Sequence, residues 1–194
     1  MTAKAGWIDV HHRSATRGLS AAGFAEAFSN HAAASALVTA DSEDGAVAVL
    51  TTKVMPLSSS PAVFAIALER RSSEAQALLR SESLVVHLLT ADQLGVAQWR
   101  GSQFARTDLE WGRLFTGEPF VIGPPVWIRG DVLQRVETGR TTLVIVHATL
   151  ASYPPTGMTR AKSWPGPLLK LRTEWHELTE ASRLSCLDTP GSPE

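Results

Sequence analysis

Residues 68–80 read LERRSSEAQALLR and hold a dense set of side chains able to do chemistry. Ser72, Ser73 and Glu74 suit the start of a short helix, where hydroxyls cap free N–H groups and a carboxylate meets the positive end of the helix dipole. Arg70 and Arg71, one step upstream, do not serve that dipole. A cation pair beside unsatisfied N–H donors suits an anion. The same arginines also fit ordinary solvated loop positions.

Other chemistry is thinly represented. The six histidines are scattered, with only His11 and His12 adjacent, and neither they nor any Asp/Glu group has metal-ligand spacing, so no metal is expected. There is no Gly-x-Ser-x-Gly elbow and no Walker-type loop. Cys186 is alone, which rules out an internal disulfide and disfavours a thiol nucleophile. His87 lies in Val85-Val86-His87-Leu88-Leu89 and His147 in Val144-Ile145-Val146-His147, apolar settings that suit a satisfied core or interface histidine better than a catalyst. Either becomes a candidate proton donor if it faces a cavity, and alternation alone does not say which face that is. Glu69, Asp92 and Glu137 give no reason to name a general base.

These residues need a scaffold, and the chain is long enough to build one. Its 194 residues, 44% apolar and with a net charge of −1, describe one soluble domain with a full core, and suggest neither nucleic acid nor an anionic membrane as partner. No apolar run approaches the roughly eighteen residues of a membrane helix, and the start, MTAKAGWIDVHHRS, has no signal-like apolar stretch. A cytoplasmic protein is expected. Residues 1–18 read as a flexible segment, 19–180 as the domain and 181–194, rich in Ser, Pro and Gly, as a flexible tail.

Within the domain, Ser20 is placed to cap a helix with Phe24 and Phe28 on one face, followed by a strand over 35–40. Asp44-Gly45 is a hairpin signal, so 46–52 should return antiparallel. The apolar run 62–68 reads as a strand buried on both faces, leading straight to the Arg-Arg-Ser-Ser turn. Ser73 with Gln76 and Thr90 with Gln93 match the capping box, bracketing a strand over 84–89 between two helix starts. Two long strands, 126–137 and 141–152, should be joined at Thr138-Gly139-Arg140, and a run over 168–175 should close the sheet. Residues 54–61, with two prolines and three serines, read as a loop. The expected fold class is α+β, an antiparallel barrel-like sheet with a few flanking short helices.

These pieces, in this order, resemble the flavin reductase-like family of split β-barrels. The resemblance spans roughly Phe24 to Leu178. It rests on Leu37-Val38-Thr39 leading to Asp44-Gly45, on Thr51-Thr52 and Pro61, and on the buried strand ending in Arg70-Arg71-Ser72-Ser73. Farther on it rests on Phe104-Ala105, Trp111 and Gly117, and on the closing run Leu168 to His176. The family binds FMN. The resemblance implies that Thr51 and Thr52 lie along the flavin, that Arg70, Arg71, Ser72 and Ser73 cradle its phosphate, and that Lys53 assists the anion or points to solvent. It also implies that Trp175 keeps an aromatic at the site and His176 the run's final imidazole. It further implies NAD(P)H as co-substrate, a homodimer, and a monooxygenase that receives reduced flavin.

Two departures bear on chemistry. Family reductases carry Gly-Asp-His between the long strands where this chain has Gly139-Arg140-Thr141, and Tyr-His in the closing run where it has Lys170-Leu171. Slow reduction of flavin by NAD(P)H is the expectation that follows. Two alternatives therefore stand beside the oxidoreductase: a cofactor-free enzyme cyclising or isomerising an apolar molecule in specialised metabolism, and a non-catalytic ligand-binding dimer. Six Trp residues against one Tyr suit an apolar pocket, but Trp99, Trp111 and Trp127 fit packing roles better.

Overall fold

The computed structural model describes residues 20–98, 109–153 and 166–178. The two terminal segments, Trp99, Phe104-Ala105 and Cys186 lie outside the described residues. A first helix, α1 (Ala21–Ala27), belongs to an N-terminal unit that ends at His31. Ser20 caps it as expected, its Oγ accepting the Gly23 N–H at 3.0 Å, and the Phe24 and Phe28 rings stand 4.8 Å apart.

The second unit, from Ala32, is a barrel. Its strands are β1 (Ala33–Ala34), β2 (Ala36–Ser42), β3 (Gly45–Thr51), β4 (Val54–Ser59), β5 (Ala62–Glu69) and β6 (Ser83–Leu88), continuing with β7 (Trp111–Arg113), β8 (Pro119–Val121), β9 (Val126–Thr138), β10 (Thr141–Ser152), β11 (Leu168–Leu171) and β12 (Glu174–Glu177). Helices α2 (Ser73–Arg80) and α3 (Leu94–Gln98) are short. Seven strands form one antiparallel sheet in the order β3-β2-β6-β9-β10-β5-β4.

The sheet's two edges are consecutive in the chain. Only Thr52 and Lys53 separate β3 from β4, a reach of at most about 11 Å, whereas seven flat strands would hold their edges about 29 Å apart. The sheet must therefore roll until its edges meet. At the seam Thr51 Oγ1 donates to the Ala67 carbonyl at 3.0 Å, and the Ala67 N–H donates to the Lys53 carbonyl at 2.9 Å. This is the antiparallel split barrel with few short helices expected from the sequence.

Alternation sorts the strands' two faces. Ala36, Val38, Ala40, Phe64, Ile66, Leu68, Leu84, Val86, Val144 and Val146 point inward and, with Leu78 of α2, form the main core. Leu37, Thr39, Val85 and His87 point outward and are still buried. The hairpin β7–β8 covers that outer side, and a second cluster gathers Leu37, Ala48, Leu89, Ala97, Val121 and Leu168. At Gly130 of β9 an added Cβ would meet Val146 Cγ1 at 2.5 Å and the His147 carbonyl oxygen at 2.6 Å, so only glycine permits that approach to β10.

Three expectations are corrected. Residues 54–59 form strand β4, and Pro56 is tolerated because it lies on an edge strand next to an irregular pairing with β5. The run 168–175 is two strands turned at Arg172, whose φ is +55°; they form a separate three-stranded sheet with β1 instead of closing the large one. The cap of α2 is Ser72, not Ser73: Ser72 Oγ accepts the Ala75 N–H at 3.1 Å. The second capping box stands, with Gln93 Oε1 accepting the Thr90 N–H at 2.8 Å.

Candidate functional site

One end of the barrel brings together the seam, the end of β5, the start of α2 and the β9–β10 turn. Seven of the eight residues singled out for binding fall here. Thr51 is buried, and its hydroxyl is committed twice, donating to Ala67 and accepting the Lys53 N–H at 3.1 Å. Thr52 follows it, half-buried, in the link between the edges. Lys53 Nζ stands 3.5 Å from Glu69 Oε1, and Arg71 Nε 3.2 Å from Glu69 Oε2. Glu69 thus bridges a cation from the seam and a cation from the turn before α2. Sequence reading passed it over, because its partners are sixteen residues upstream and two downstream on different elements.

The two arginines do different things. Arg70 is turned onto the hairpin tip: Nη1 pairs with Glu137 Oε2 at 2.7 Å, Nη2 donates to the Gly139 carbonyl at 2.5 Å, and its N–H donates to the Arg140 carbonyl at 3.1 Å. Arg71 is exposed and tethered at Nε alone. Ser73 Oγ donates to Glu74 Oε2 at 3.2 Å. Exposed cations, two hydroxyls and the free N–H groups of a Ser-capped helix make a donor set that fits a phosphate monoester.

Trp175 is not brought into this set. It sits on β12 with Lys170 Nζ 5.2 Å from its ring centroid, packed against the second apolar cluster. Trp111 also packs against that cluster, and Trp127 lies tilted on Phe120 at 5.9 Å, so both serve packing.

The candidate histidines lie elsewhere. His87 is fully buried; its Nδ1 lies 3.1 Å from the Leu37 carbonyl and its Nε2 accepts the Val121 N–H at 3.0 Å. A carbonyl only accepts and an amide only donates, so the ring is neutral with its proton on Nδ1. Burial pushes its pKa down to about 4, and the Leu37 hydrogen bond offsets part of that. No ring nitrogen is left for proton transfer, so His87 is withdrawn as a catalytic candidate. His147 is half-buried on the barrel's outer face, across from Asp131 and Val63. His176 is exposed, 3.7 Å from Glu174. Among the described residues no three His, Cys, Asp or Glu side chains converge as metal ligands would.

A second polar cluster lies beyond the barrel wall. Arg129 donates to Glu118 Oε1 through Nη2 at 2.6 Å and Nε at 2.9 Å, and Nη1 pairs with Asp131 at 2.5 Å. Burial would raise the Glu118 pKa, but hydrogen bonds from Arg129, Ser83 and Thr116 outweigh it and hold the carboxyl down to about 2. Glu118 borders an open polar cleft of about 520 Å³, where Arg113 pairs with Asp41 at 2.6 and 3.0 Å. The pairing ties β7 to β2, which is a structural use.

With the fold and site in hand, comparison with known proteins assigns the class. The flavin reductase like domain model matches residues 28–177, and the chain belongs to that family. It is 36% identical over 135 residues to an NADH:FMN oxidoreductase of Rhodococcus erythropolis, covering 66% of this chain and 68% of the relative. It is 33% identical over 133 residues to FMN reductase (NADH) RutF 2 of Methylorubrum extorquens, covering 66% and 76%. Its fold matches the styrene monooxygenase flavin reductase of Pseudomonas putida S12 with a TM-score of 0.67 at 19% identity, over 80% of this chain and 97% of that one. Among the described residues no helix is long and apolar enough to cross a membrane.

Proposed function

We propose that this chain is an NADH:FMN oxidoreductase that hands reduced flavin to a separate monooxygenase. The observation that carries the reading is the convergence of Lys53, Arg71, Ser72 and Ser73 around the start of α2 at the seam of a flavin reductase barrel. Arg71 and the helix N–H groups would hold the flavin phosphate, with Ser73 donating from the first turn. Thr52, in the link beside them, would meet the flavin chain. Thr51 would act by fixing that link, since its own hydroxyl is spent on the seam. Bound FMN supplies the hydride-accepting ring system; the protein supplies position and exclusion of water.

The expected Gly-Asp-His turn is replaced by Gly139-Arg140-Thr141, which Arg70 fixes from the same end of the barrel. The turn therefore offers a guanidinium where family members offer an acid, and a hydroxyl where they offer an imidazole. NADH named in both relatives supports a nicotinamide donor despite that exchange. The likeness to a styrene monooxygenase flavin reductase supports the oxygenase partner. Met55 and Leu57 on edge strand β4 and Leu133 on β9, each about half exposed, support a homodimer.

Stopped-flow oxidation of NADH and NADPH by the FMN-loaded protein tests the proposal, with free FMN as baseline. Saturable flavin reduction above baseline supports it. A protein that purifies colourless, ignores FMN and reduces nothing overturns it, and returns the cofactor-free pocket as the better reading. Light scattering at micromolar concentration decides between dimer and monomer.

A further inference from the structure

Among the described residues Glu69 is the one carboxylate that pairs with both exposed cations of the phosphate cluster, Lys53 at 3.5 Å and Arg71 at 3.2 Å. Both separations exceed the roughly 2.7–2.9 Å of a tight charge-assisted bond, and the three side chains are 46%, 52% and 68% exposed for Glu69, Lys53 and Arg71. A bridge of that kind is weak in water and exchanges readily. Arg70 differs. Its 2.7 Å pair with Glu137 and its two backbone contacts fix it to the β9–β10 turn. Of these three cations one is therefore fixed and two have a replaceable partner.

The geometry points to Glu69 as an internal rival of the flavin phosphate, a residue that sets FMN affinity and release. The inference rests on the flavin reading above. A phosphate monoester presents the same kind of oxygens as Glu69 with up to twice the charge, so it can take over Lys53 and Arg71. Glu69 is anchored at the end of β5, paired in register with Thr141, and cannot leave the neighbourhood. While phosphate is bound, the displaced carboxylate stays beside it and repels it. When flavin departs, Glu69 closes the cation pair again. The arrangement lowers affinity and speeds release, which suits a flavin that is exchanged as a substrate instead of being held as a fixed group.

The test is Glu69→Gln, which keeps the shape and removes the charge. FMN, riboflavin and inorganic phosphate binding are measured for the parent, Glu69→Gln, Arg71→Ala and the double variant. FMN is expected to bind Glu69→Gln about five- to tenfold more tightly, mostly through slower dissociation. Riboflavin, with no phosphate, should bind parent and variant alike, which also reports that the variant is folded. Inorganic phosphate should compete with FMN at lower concentration in the variant, and Arg71→Ala should abolish the gain. Unchanged or weaker FMN binding by Glu69→Gln overturns the inference. If the parent prefers FMN over riboflavin but Glu69→Gln changes nothing, Glu69 alone is misread. If the parent binds FMN and riboflavin equally, the phosphate site itself is wrong.

Discussion

The Nε2 of His87 accepts the Val121 N–H at 3.0 Å, so a ring on the barrel wall holds a strand that lies outside the barrel. Thr39, on the neighbouring strand, does the same for Pro119, donating to its carbonyl at 2.7 Å. Two polar side chains thus fasten β8 over an apolar surface that would hold it without fixing its register.

His87 makes stability pH-dependent. Its folded pKa of about 4 lies below the ordinary 6.5, so between these values the unfolded chain binds the extra proton. Stability is full above pH 6.5 and falls as pH drops toward 4, by a total of about 3 kcal/mol from this group. Urea unfolding at pH 7, 5.5 and 4.5 reads the slope. His87→Leu should be less stable at pH 7 and flatter over this window; an unchanged slope would assign it to other groups.

Glu118 acts at lower pH. With its carboxyl held down to about 2 against an ordinary 4.5, its contribution is present above pH 4.5 and is lost as pH falls through that range. Glu118→Gln leaves Arg129 with half its pairing and should cost about 3 kcal/mol at pH 7. Thermal melts at pH 7 and pH 3 check this: the gap between parent and variant should shrink at pH 3.

Thr51→Val removes the seam hydroxyl and leaves the Lys53 N–H and one acceptor site on Ala67 without it. A loss of about 1–2 kcal/mol in urea unfolding is expected. FMN affinity should fall as well, because Thr52 and Lys53 lose their anchor; a variant with parental stability would show that the seam is held by packing alone.

Arg71→Ala should weaken FMN by about 1.5–3 kcal/mol and leave riboflavin nearly unaffected. Arg70→Ala should act differently, lowering thermal stability through the β9–β10 turn and touching FMN less. Fluorescence titration of both flavins with both variants separates the roles. Equal FMN loss from the two substitutions would mean that Arg70 also reaches the phosphate.

Local chemistry made much of this legible. Asp44-Gly45, the apolar run at 62–68, the Thr90-Gln93 box and the hydroxyls at 72–73 are signals within a few residues, and each marked the turn, strand or helix start it announced. What was missed depended on distant partners. Pro56 reads as a loop residue until β4 is seen to pair on one side only, with β5. Glu69 gains meaning only when the seam delivers Lys53, and Glu118 only when β9 delivers Arg129. The face of His87 could not be assigned because β6 is covered on both sides, and that of His147 because Val144, Ile145 and Val146 put apolar residues on both faces of β10.

Joining the barrel's edges by two residues also orders its assembly in time. The β2–β3 and β4–β5 hairpins and the Thr51–Ala67 contact span short stretches, so residues 36–69 can close the seam at small loop-entropy cost. The pairings β6–β9 and β5–β10 reach much farther along the chain. The long β9–β10 hairpin must then slide into the gap between β6 and β5, as the last stave completes a cask. Pulse-labelled hydrogen exchange should find amides of 36–69 protected before those of 126–152, with the reverse order excluding this route.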